Sequence, residues 1–401
     1  MQRHRYAKSC IIALVITVLL VSCSESGPGP VDTPQFGTLV GTVRGPDAQG
    51  VAGATVTLGT VSTTTSVNGG FELRNVAVGA GTITVNANGF DSYTQSVTVQ
   101  AGANTHDVAL VRATFYAHGV VTAFLSPTIA TYRGVIYLLA GSTQDSRPFI
   151  RGEPLCWASQ GPLGICPMIA DFRAGLLAMA EKHGLAVFGM KTPPANELAA
   201  YDTMIAAMVD ISQRSGHPEL AAAPVLLVGS SLGGCIAHGF ARVYFARAIG
   251  FVTAKGSCHI GGPSPASGVP GYLFVSDEDP VSPDAITTIT QLFLANRAEG
   301  AVWALAIDVG SGHEFPEENS ETLTWLDAIL TRRLPAGHVP GMALAAVGET
   351  TGWLANRTST EIAPHACFTG DALIASWLPN EQTARGWQAI VGSSGMVSPC
   401  P

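Results

Sequence analysis

Residues 36–112 alternate apolar and polar side chains with a period of two, the pattern of β-strands with one buried face. Ala54–Leu58 and Ser96–Gln100 show this alternation and are rich in β-branched residues. Turns between such strands are supplied by Asn-Gly pairs at residues 68–69 and 88–89. Because no helical period appears here, we expect a small antiparallel β-sandwich.

From about residue 113 the pattern changes to apolar runs that alternate with longer segments of helical period. Uninterrupted apolar runs are typical of strands buried on both faces, and their alternation with helices favours a mostly parallel sheet covered by helices on both faces. We therefore expect an α/β domain over residues 113–334. Its strands are predicted at Val135–Leu139, Leu185–Gly189, Val225–Val228, Phe251–Ala254, Tyr272–Val275 and Val302–Ile307, and its helices at Asp171–Lys182, Leu198–Ser212, Pro283–Arg297 and Ser320–Leu334, with another beginning at Leu232.

Residues 335–401 follow the last helix of this pattern and carry few charges. They contain Trp353, Trp377 and Trp387, large apolar side chains that need a surface on which to pack. The sequence leaves two roles open for this C-terminal extension: it packs on the α/β domain, or it forms a partial lid.

The first residues of the chain have the pattern of a targeting segment. Three positive charges, at Arg3, Arg5 and Lys8, precede the apolar run Ile11–Val21, which is too short to span a bilayer comfortably. The run ends in Leu-Val-Ser-Cys, residues 20–23, and this ending resembles the lipobox of bacterial lipoproteins.

A lipobox implies cleavage before Cys23 and attachment of a lipid to its sulfur. We therefore expect a signal peptide over residues 1–22 and a tether over residues 23–35. The protein is then an exported bacterial lipoprotein of the cell envelope, held to the membrane by its lipid at the outer membrane or the cell surface. An ordinary N-terminal membrane anchor with a chance cysteine is the alternative.

The composition and net charge of the chain argue against a disordered protein and against a nucleic-acid-binding protein. Only 12% of residues are charged and 47% are hydrophobic, which argues against disorder. The net charge is −8 and no basic stripe is present, so we do not expect a nucleic-acid partner.

Export favours disulfides among the cysteines that follow Cys23, with buried free thiols as the alternative. The natural pairs are Cys156–Cys166 and Cys367–Cys400, which leaves Cys235 with Cys258.

Two stretches of the predicted sandwich resemble a known domain family. GTVRGPDAQGVAGATVTLG, residues 41–59, and SVNGGFELRNVAVGAGTITVNANGF, residues 66–90, are similar to the carboxypeptidase regulatory-like domain. Turn glycines, a buried Phe71 and a corner at Gly79 fall in the family's order. The resemblance implies a transthyretin-like sandwich of seven strands that serves as a structural spacer and not as a catalyst.

Between the predicted strand Val225–Val228 and the helix that follows it lies Gly-Ser-Ser-Leu-Gly, residues 229–233. A strand that turns sharply into a helix needs small residues two positions before and after its tip, because side chains there would collide with neighbouring backbone. Such a turn lifts Ser231 above the sheet at the N-terminus of the helix. The segment resembles the nucleophile elbow of the α/β-hydrolase fold.

In α/β-hydrolases the serine is followed along the chain by an acid and then by a histidine, each after a later strand. Asp279 follows the strand of GYLFVSDEDPVSP and is the candidate acid, with Asp277 as the alternative, and His313 follows the next strand. The gaps, 48 residues from Ser231 to Asp279 and 34 more to His313, each fit one strand–helix unit. The resemblance implies that His313 is the base that activates Ser231 and that the acid orients the imidazole.

The backbone amide of Leu232 is the first expected donor of an oxyanion hole. The second is expected from LLAGSTQDSRPF, residues 138–149, which resembles the LHGCTQ loop of secreted polyester depolymerases and feruloyl esterases. The match makes Ser142 the second donor, while Ala140 stands where those families often carry histidine.

These resemblances imply a serine hydrolase that cleaves a carboxylic ester, small or polymer-borne, through an acyl-enzyme and without a cofactor. No His-x-His, His-Glu-x-x-His or Cys-x-x-Cys motif supports a metal site, and His238, on the helix after Ser231, is expected to pack in the core. A serine peptidase of the same fold, and a non-catalytic surface-binding protein with an inactive hydrolase domain, are the alternatives.

Overall fold

A computed structural model describes residues 35–142, 144–153, 166–192, 197–256, 263–313 and 320–393, together with Val397 and Cys400. Only the backbone is described for residues 166–170 and 197. The predicted signal peptide, with the lipidation candidate Cys23, lies outside these ranges. Within them, no helix is both long enough and apolar enough to cross a membrane.

The N-terminal part of the chain folds into two small sheets that share one hydrophobic core. Its strands are β1 (Phe36–Arg44), β2 (Thr55–Leu58), β3 (Val61–Thr64), β4 (Gly70–Ala77), β5 (Gly79–Asn86), β6 (Tyr93–Val99), β7 (Gly102–Thr105) and β8 (Val108–Ala109). One sheet has the order β4-β1-β7, with β8 also paired to β1, and the other has the order β3-β2-β5-β6. Phe71 is buried between them, and the predicted β-sandwich is confirmed.

The last strand of the sandwich departs from an antiparallel arrangement. β7 and β8 pair in parallel with successive parts of β1, at Gly37–Val40 and at Val43–Arg44. The break between them passes so close to β1 that a Cβ at Gly41 would lie 1.8 Å from the His106 carbonyl oxygen. Counted as one interrupted strand, β7 and β8 complete seven strands, but the prediction of a wholly antiparallel sandwich is wrong at this edge.

The second domain is built on one mixed sheet of eight strands. They are β9 (Phe115–His118), β10 (Val121–Phe124), β11 (Gly134–Leu139), β12 (Leu185–Met190), β13 (Val225–Ser230), β14 (Ala248–Ala254), β15 (Gly271–Ser276) and β16 (Trp303–Asp308). Their order is β16-β15-β14-β13-β11-β12-β10-β9, and β11 to β16 run parallel, whereas β10 is antiparallel to both its neighbours. The six predicted strands overlap β11 to β16.

Helices cover both faces of this sheet, as the sequence predicts. They are α1 (Arg147–Arg151), α2 (Cys166–His183), α3 (Glu197–Ser215), α4 (Leu232–Val243), α5 (Ala285–Arg297) and α6 (Ser320–Arg333). Successive residues of β11 alternate between two cores: Val135 and Tyr137 pack with residues of α3, α4 and α5, while Ile136 and Leu138 pack with residues of α1, α2 and α6. Burial on both faces explains why the strands are continuously apolar.

The C-terminal extension packs against the edge strand β16. It contains a three-stranded antiparallel sheet and a helix, β17 (Trp353–Ala355), β18 (Ile362–Pro364), β19 (Ser376–Leu378) and α7 (Glu381–Ile390). Trp377 and Trp387 are buried in the same core as residues of α6. Of the two roles that the sequence leaves open, packing on the α/β domain is the one that the described residues take.

The cysteines are described only in part. Cys367 and Cys400 form a disulfide, and Cys235 is also disulfide-bonded. Cys156 and Cys258 lie outside the described residues, so the pairs predicted for them stay predictions.

Candidate active site

Ser231 stands at the tip of the turn between β13 and α4. Its backbone has φ 51° and ψ −124°, outside the regions that residues with a side chain usually adopt. Its amide donates a hydrogen bond of 2.7 Å to the Ala254 carbonyl at the end of β14. A conformation of this kind costs about 1–3 kcal/mol and persists only where the surrounding structure imposes it, most often at functional sites.

The glycines on either side of Ser231 are sterically required. A Cβ at Gly229 would lie 2.1 Å from the Gly233 carbonyl oxygen, and a Cβ at Gly233 would lie 2.0 Å from the Leu139 carbonyl oxygen. Both neighbours are backbone atoms in regular elements, so a side chain at either position would have to displace α4 or β11. The turn therefore holds its two glycines for the steric reason that the sequence suggests.

The loop after β11 runs directly beside Ser231, since a Cβ at Gly141 would lie 3.2 Å from the Ser231 Cβ. Two side chains hold this loop. Gln144 Oε1 accepts a hydrogen bond from the Gly141 amide at 3.0 Å, and Thr192 Oγ1 donates one to the Ala140 carbonyl at 2.6 Å. Sequence reasoning missed both residues. Gln144 lies within the loop that the resemblance picked out, whereas Thr192 carried no signal.

Two backbone amides near Ser231 are the donors that the sequence predicts for an oxyanion hole. Those of Leu232 and Ser142 donate no hydrogen bond to any residue that the structure describes. Leu232 is the first residue of α4, and the first amides of a helix have no partner within it. Ser142 directly follows Gly141 and is exposed. An oxygen that gains negative charge beside Ser231 is also favoured by the positive end of the α4 dipole.

His313 and Asp279 are joined by a hydrogen bond of 2.7 Å between Nδ1 and Oδ2. The carboxylate is 1% exposed and the imidazole 20% exposed. Because an ionised carboxylate only accepts, Nδ1 carries the proton of the neutral ring and Nε2 is left as an acceptor. Asp279 Oδ1 accepts from the amides of Val281 at 2.8 Å and Ser282 at 3.1 Å, so the carboxylate cannot rotate away.

Asp277, the alternative acid, makes a different contact. It is exposed, and its Oδ1 accepts a hydrogen bond of 2.7 Å from the Gly310 amide. The contact ties the loop after β15 to the loop after β16. Among the described contacts, His313 is therefore partnered by Asp279 and not by Asp277.

Ser231, Asp279 and His313 follow β13, β15 and β16, so all three lie at the carboxyl edge of one sheet. Although both residues are described, no hydrogen bond joins Ser231 Oγ to His313 Nε2. Such contacts are often long in unliganded sites and shorten when substrate binds. The structure thus brings the acid and the histidine into contact, and brings the serine to the same edge.

His238 lies in the core and takes no part in this edge of the sheet. It is 3% exposed, with its ring centroid 5.4 Å from that of Phe251 and 5.5 Å from that of Trp303. Burial, together with the smaller effect of the Arg242 charge, lowers the pKa of His238 to about 4, so the ring is neutral at pH 7. In the part of the chain that the structure describes, no three His, Cys, Asp or Glu side chains are grouped to hold a metal ion.

The strand order, the two-sided helix cover and the turn at Ser231 define the second domain as an α/β-hydrolase-like domain. For the first domain, residues 38–111 match the family model of the carboxypeptidase regulatory-like domain. The search of curated proteins finds no match.

Solved structures are similar to parts of the chain. The Bacillus anthracis TIE protein matches at 18% identity and a TM-score of 0.18, over 20% of this chain and 17% of that one. Esterase PE8 matches at 16% identity and a TM-score of 0.34, over 51% of this chain and 95% of that one. FphF, a fluorophosphonate-binding serine hydrolase of Staphylococcus aureus, matches at 11% identity and a TM-score of 0.35, over 54% and 96%.

Proposed function

We propose that this protein is an exported, lipid-anchored serine hydrolase that cleaves carboxylic esters with Ser231, His313 and Asp279. The observation that carries the proposal is the half-buried His313–Asp279 hydrogen bond of 2.7 Å, at the same sheet edge as the strained turn of Ser231. A serine hydroxyl is a weak nucleophile unless an oriented base takes its proton, and this pair supplies that base.

In the first half of the reaction, Ser231 Oγ forms a bond to the ester carbonyl carbon while its proton passes to His313 Nε2. The carbonyl oxygen becomes an oxyanion, which the amides of Leu232 and Ser142 stabilise. Collapse of this intermediate breaks the bond to the alcohol oxygen, which takes the proton from His313. The alcohol leaves and the acyl group stays on Ser231.

In the second half, His313 takes a proton from water as the water oxygen bonds to the acyl carbon. The second intermediate collapses, the bond to Ser231 Oγ breaks, and His313 returns the proton to the serine. Asp279 accepts from Nδ1 throughout, which holds the ring in one tautomer and stabilises the imidazolium in both halves.

Exposed apolar residues on the loops of the acid and the histidine favour an apolar group in the substrate. Val281, two residues after Asp279, is 64% exposed, and Val309, four residues before His313, is 57% exposed. Apolar side chains exposed on loops that carry catalytic residues favour an acyl or alkyl group by removing it from water. An ester with such a group, small or carried on a polymer, is the substrate class we propose.

The test uses the soluble chain that begins at Ser24, treated with a fluorophosphonate probe and then digested for mass spectrometry. We expect the label on Ser231, with none in Ser231→Ala or His313→Ala. Ser230→Ala, a change at the adjacent buried serine, is the matched control and keeps the label. A folded wild-type chain that takes no label contradicts the proposal and favours the non-catalytic surface-binding alternative.

Substrate class is tested with pairs of p-nitrophenyl esters and p-nitroanilides that carry the same acyl group. Ester turnover without anilide turnover supports the esterase. Anilide turnover at a comparable rate would instead support the serine peptidase of the same fold.

Export and lipid attachment are supported by the lipobox-like residues before Cys23 and by the disulfide between Cys367 and Cys400, since disulfides persist mainly outside the reducing cytosol. We expect the full chain, expressed in bacteria, to incorporate a clickable fatty acid. Cys23→Ser abolishes the incorporation, and Cys10→Ser, a matched change in the segment that is cleaved off, does not. Equal labelling of the two variants would argue against a lipid on Cys23.

A further inference from the structure

Lys255, the residue after β14, has two features that are energetically unfavourable in a folded protein. It is 3% exposed, and a buried ammonium group costs several kcal/mol unless it is paired and hydrogen-bonded. Its backbone also has φ 54°, in the left-handed region that residues with a side chain rarely adopt. Strained backbone persists where the surrounding structure imposes it, and it concentrates at functional sites.

The backbone of Lys255 is fixed beside the turn of Ser231. The preceding residue, Ala254, accepts the 2.7 Å hydrogen bond from the Ser231 amide, and Lys255 itself donates a 2.8 Å bond to the Phe274 carbonyl in β15. Among the described non-glycine residues, five have positive φ, and two of them, Ser231 and Lys255, are thus linked through Ala254. These hydrogen bonds therefore fix the backbone of Lys255 next to Ser231, and the Lys255 side chain extends from that fixed position.

The side chain reaches across β15 to the end of β16 and to the loop after it, which carries His313. Lys255 Nζ donates to Asp308 Oδ2 at 3.2 Å and to Ser311 Oγ at 3.0 Å. Ser311 Oγ lies 3.0 Å from the Ser276 Oγ at the end of β15. The network thus joins the ends of β14, β15 and β16, and Ser311 is only two residues before His313.

We propose that Lys255 is a positioning residue that holds the segment 308–313 in place, so that the imidazole of His313 faces Ser231. The proposal rests on the proposed function of this site. Asp279 sets the orientation of the imidazole ring through Nδ1, but it does not by itself set the position of the loop backbone. A displacement of about 1 Å in a catalytic group can reduce the rate about a hundredfold.

The test compares kcat and KM for a p-nitrophenyl ester, the rate of fluorophosphonate labelling, and Tm. Lys255→Met, which keeps most of the side-chain volume, should lower kcat and the labelling rate at least tenfold with KM changed less than about twofold. Ser311→Ala, a smaller change in the same network, should lower kcat a fewfold. Lys182→Met is the matched control, because Lys182 forms a 2.7 Å ion pair with Asp327 on the surface, and it should keep the wild-type kcat.

A double variant separates positioning from stability. If both residues act on one loop, the double variant Lys255→Met/Ser311→Ala should have a kcat only slightly lower than that of Lys255→Met alone. If Tm falls while kcat and the labelling rate stay at the wild-type level in both single variants, the role is structural and the proposal is overturned. Should Lys255→Met fail to fold, Ser311→Ala decides by the same criterion. A wild-type chain without label contradicts the proposed function itself, and this inference falls with it.

Discussion

At the scale of single residues, the turn at Ser231 has no space for a side chain at Gly229 or Gly233. In Gly229→Ala the new Cβ would lie 2.1 Å from the Gly233 carbonyl oxygen, so the turn must open and Ser231 must move. We expect kcat for ester hydrolysis to fall at least tenfold, with a lower Tm. Gly268→Ala, where a Cβ meets no atom within 4 Å, is the control and should change neither quantity. Equal kcat in the two variants would contradict this steric account.

Substitution of the two candidate acids, Asp279 and Asp277, should reduce the rate of ester hydrolysis to different extents. Asp279→Asn replaces the acceptor of the His313 Nδ1 proton, so the neutral imidazole loses the tautomer that leaves Nε2 free. We expect kcat/KM for a p-nitrophenyl ester to fall about a thousandfold or more. Asp277→Asn should lower it by less than about tenfold, because Asp277 only holds the Gly310 amide. A reversed order of the two effects would make Asp277 the acid.

His238 makes stability depend on pH. Its pKa is about 4 in the folded chain and 6.5 in the unfolded chain, so between these values only the unfolded chain binds the proton. Stability therefore falls as pH decreases through this range, by about 2 kcal/mol at pH 5, and the term vanishes above pH 7. Urea unfolding at pH 7 and pH 5 should show a loss about 2 kcal/mol smaller in His238→Leu than in the wild type. An equal loss in both chains would mean that another group carries it.

At the scale of elements, one serine completes the pairing of the edge strand β16. Ser376 Oγ accepts a hydrogen bond from Leu305 N and donates one to Leu305 O, both at 3.0 Å, and Trp387 Nε1 donates to the same carbonyl at 2.7 Å. An edge strand otherwise presents unpaired amides and carbonyls. The extension thus takes the place that a ninth strand would occupy at this residue.

Ser376→Ala leaves the buried Leu305 amide without its partner. We expect the free energy of unfolding to fall by about 1–3 kcal/mol, the cost of an unsatisfied buried donor. Urea denaturation measures it, with Ser359→Ala, at an exposed serine of the same extension, as the control. If both variants are equally stable, the bond to Leu305 contributes nothing net.

Outside the sandwich, the strands that the sequence did not predict are short. The hairpin β9–β10 has four residues in each strand, and β17, β18 and β19 have three each. A period of two is not visible in so few residues, whereas β11 to β16 were recognised because burial on both faces makes them continuously apolar. Such short strands are stabilised by the surface on which they pack, which local sequence does not record.

At the scale of the whole molecule, the extension and the N-terminal sandwich differ in how they depend on the hydrolase-like domain. The sandwich has a core of its own. The extension shares its core with α2 and α6. It also surrounds Arg297, a fully buried residue whose guanidinium donates to Glu349 at 2.7 Å and to the Ala375 carbonyl at 2.8 Å.

Deletion should therefore affect the two ends differently. A chain without residues 24–112 should keep kcat for a p-nitrophenyl ester within a fewfold, since a separate core is removed as a unit. A chain that ends at residue 335 should fail to fold, because it exposes the apolar core that the extension shares with α2 and α6 and removes the groups of the extension that are hydrogen-bonded to Arg297. Soluble yield, Tm and kcat of the two chains are the measurements. A folded, active chain without the extension would contradict this dependence.

By itself the sequence determined the features that a few consecutive residues encode. The strand period of the sandwich, the apolar runs of the parallel sheet and the small residues around Ser231 are local, because backbone sterics and burial act on each segment directly. Only the tertiary structure decided which carboxylate contacts His313, that the extension covers the edge of β16, and that Lys255 reaches the loop of His313. Each of these depends on side chains far apart in the chain meeting at one place, and no local pattern specifies that meeting.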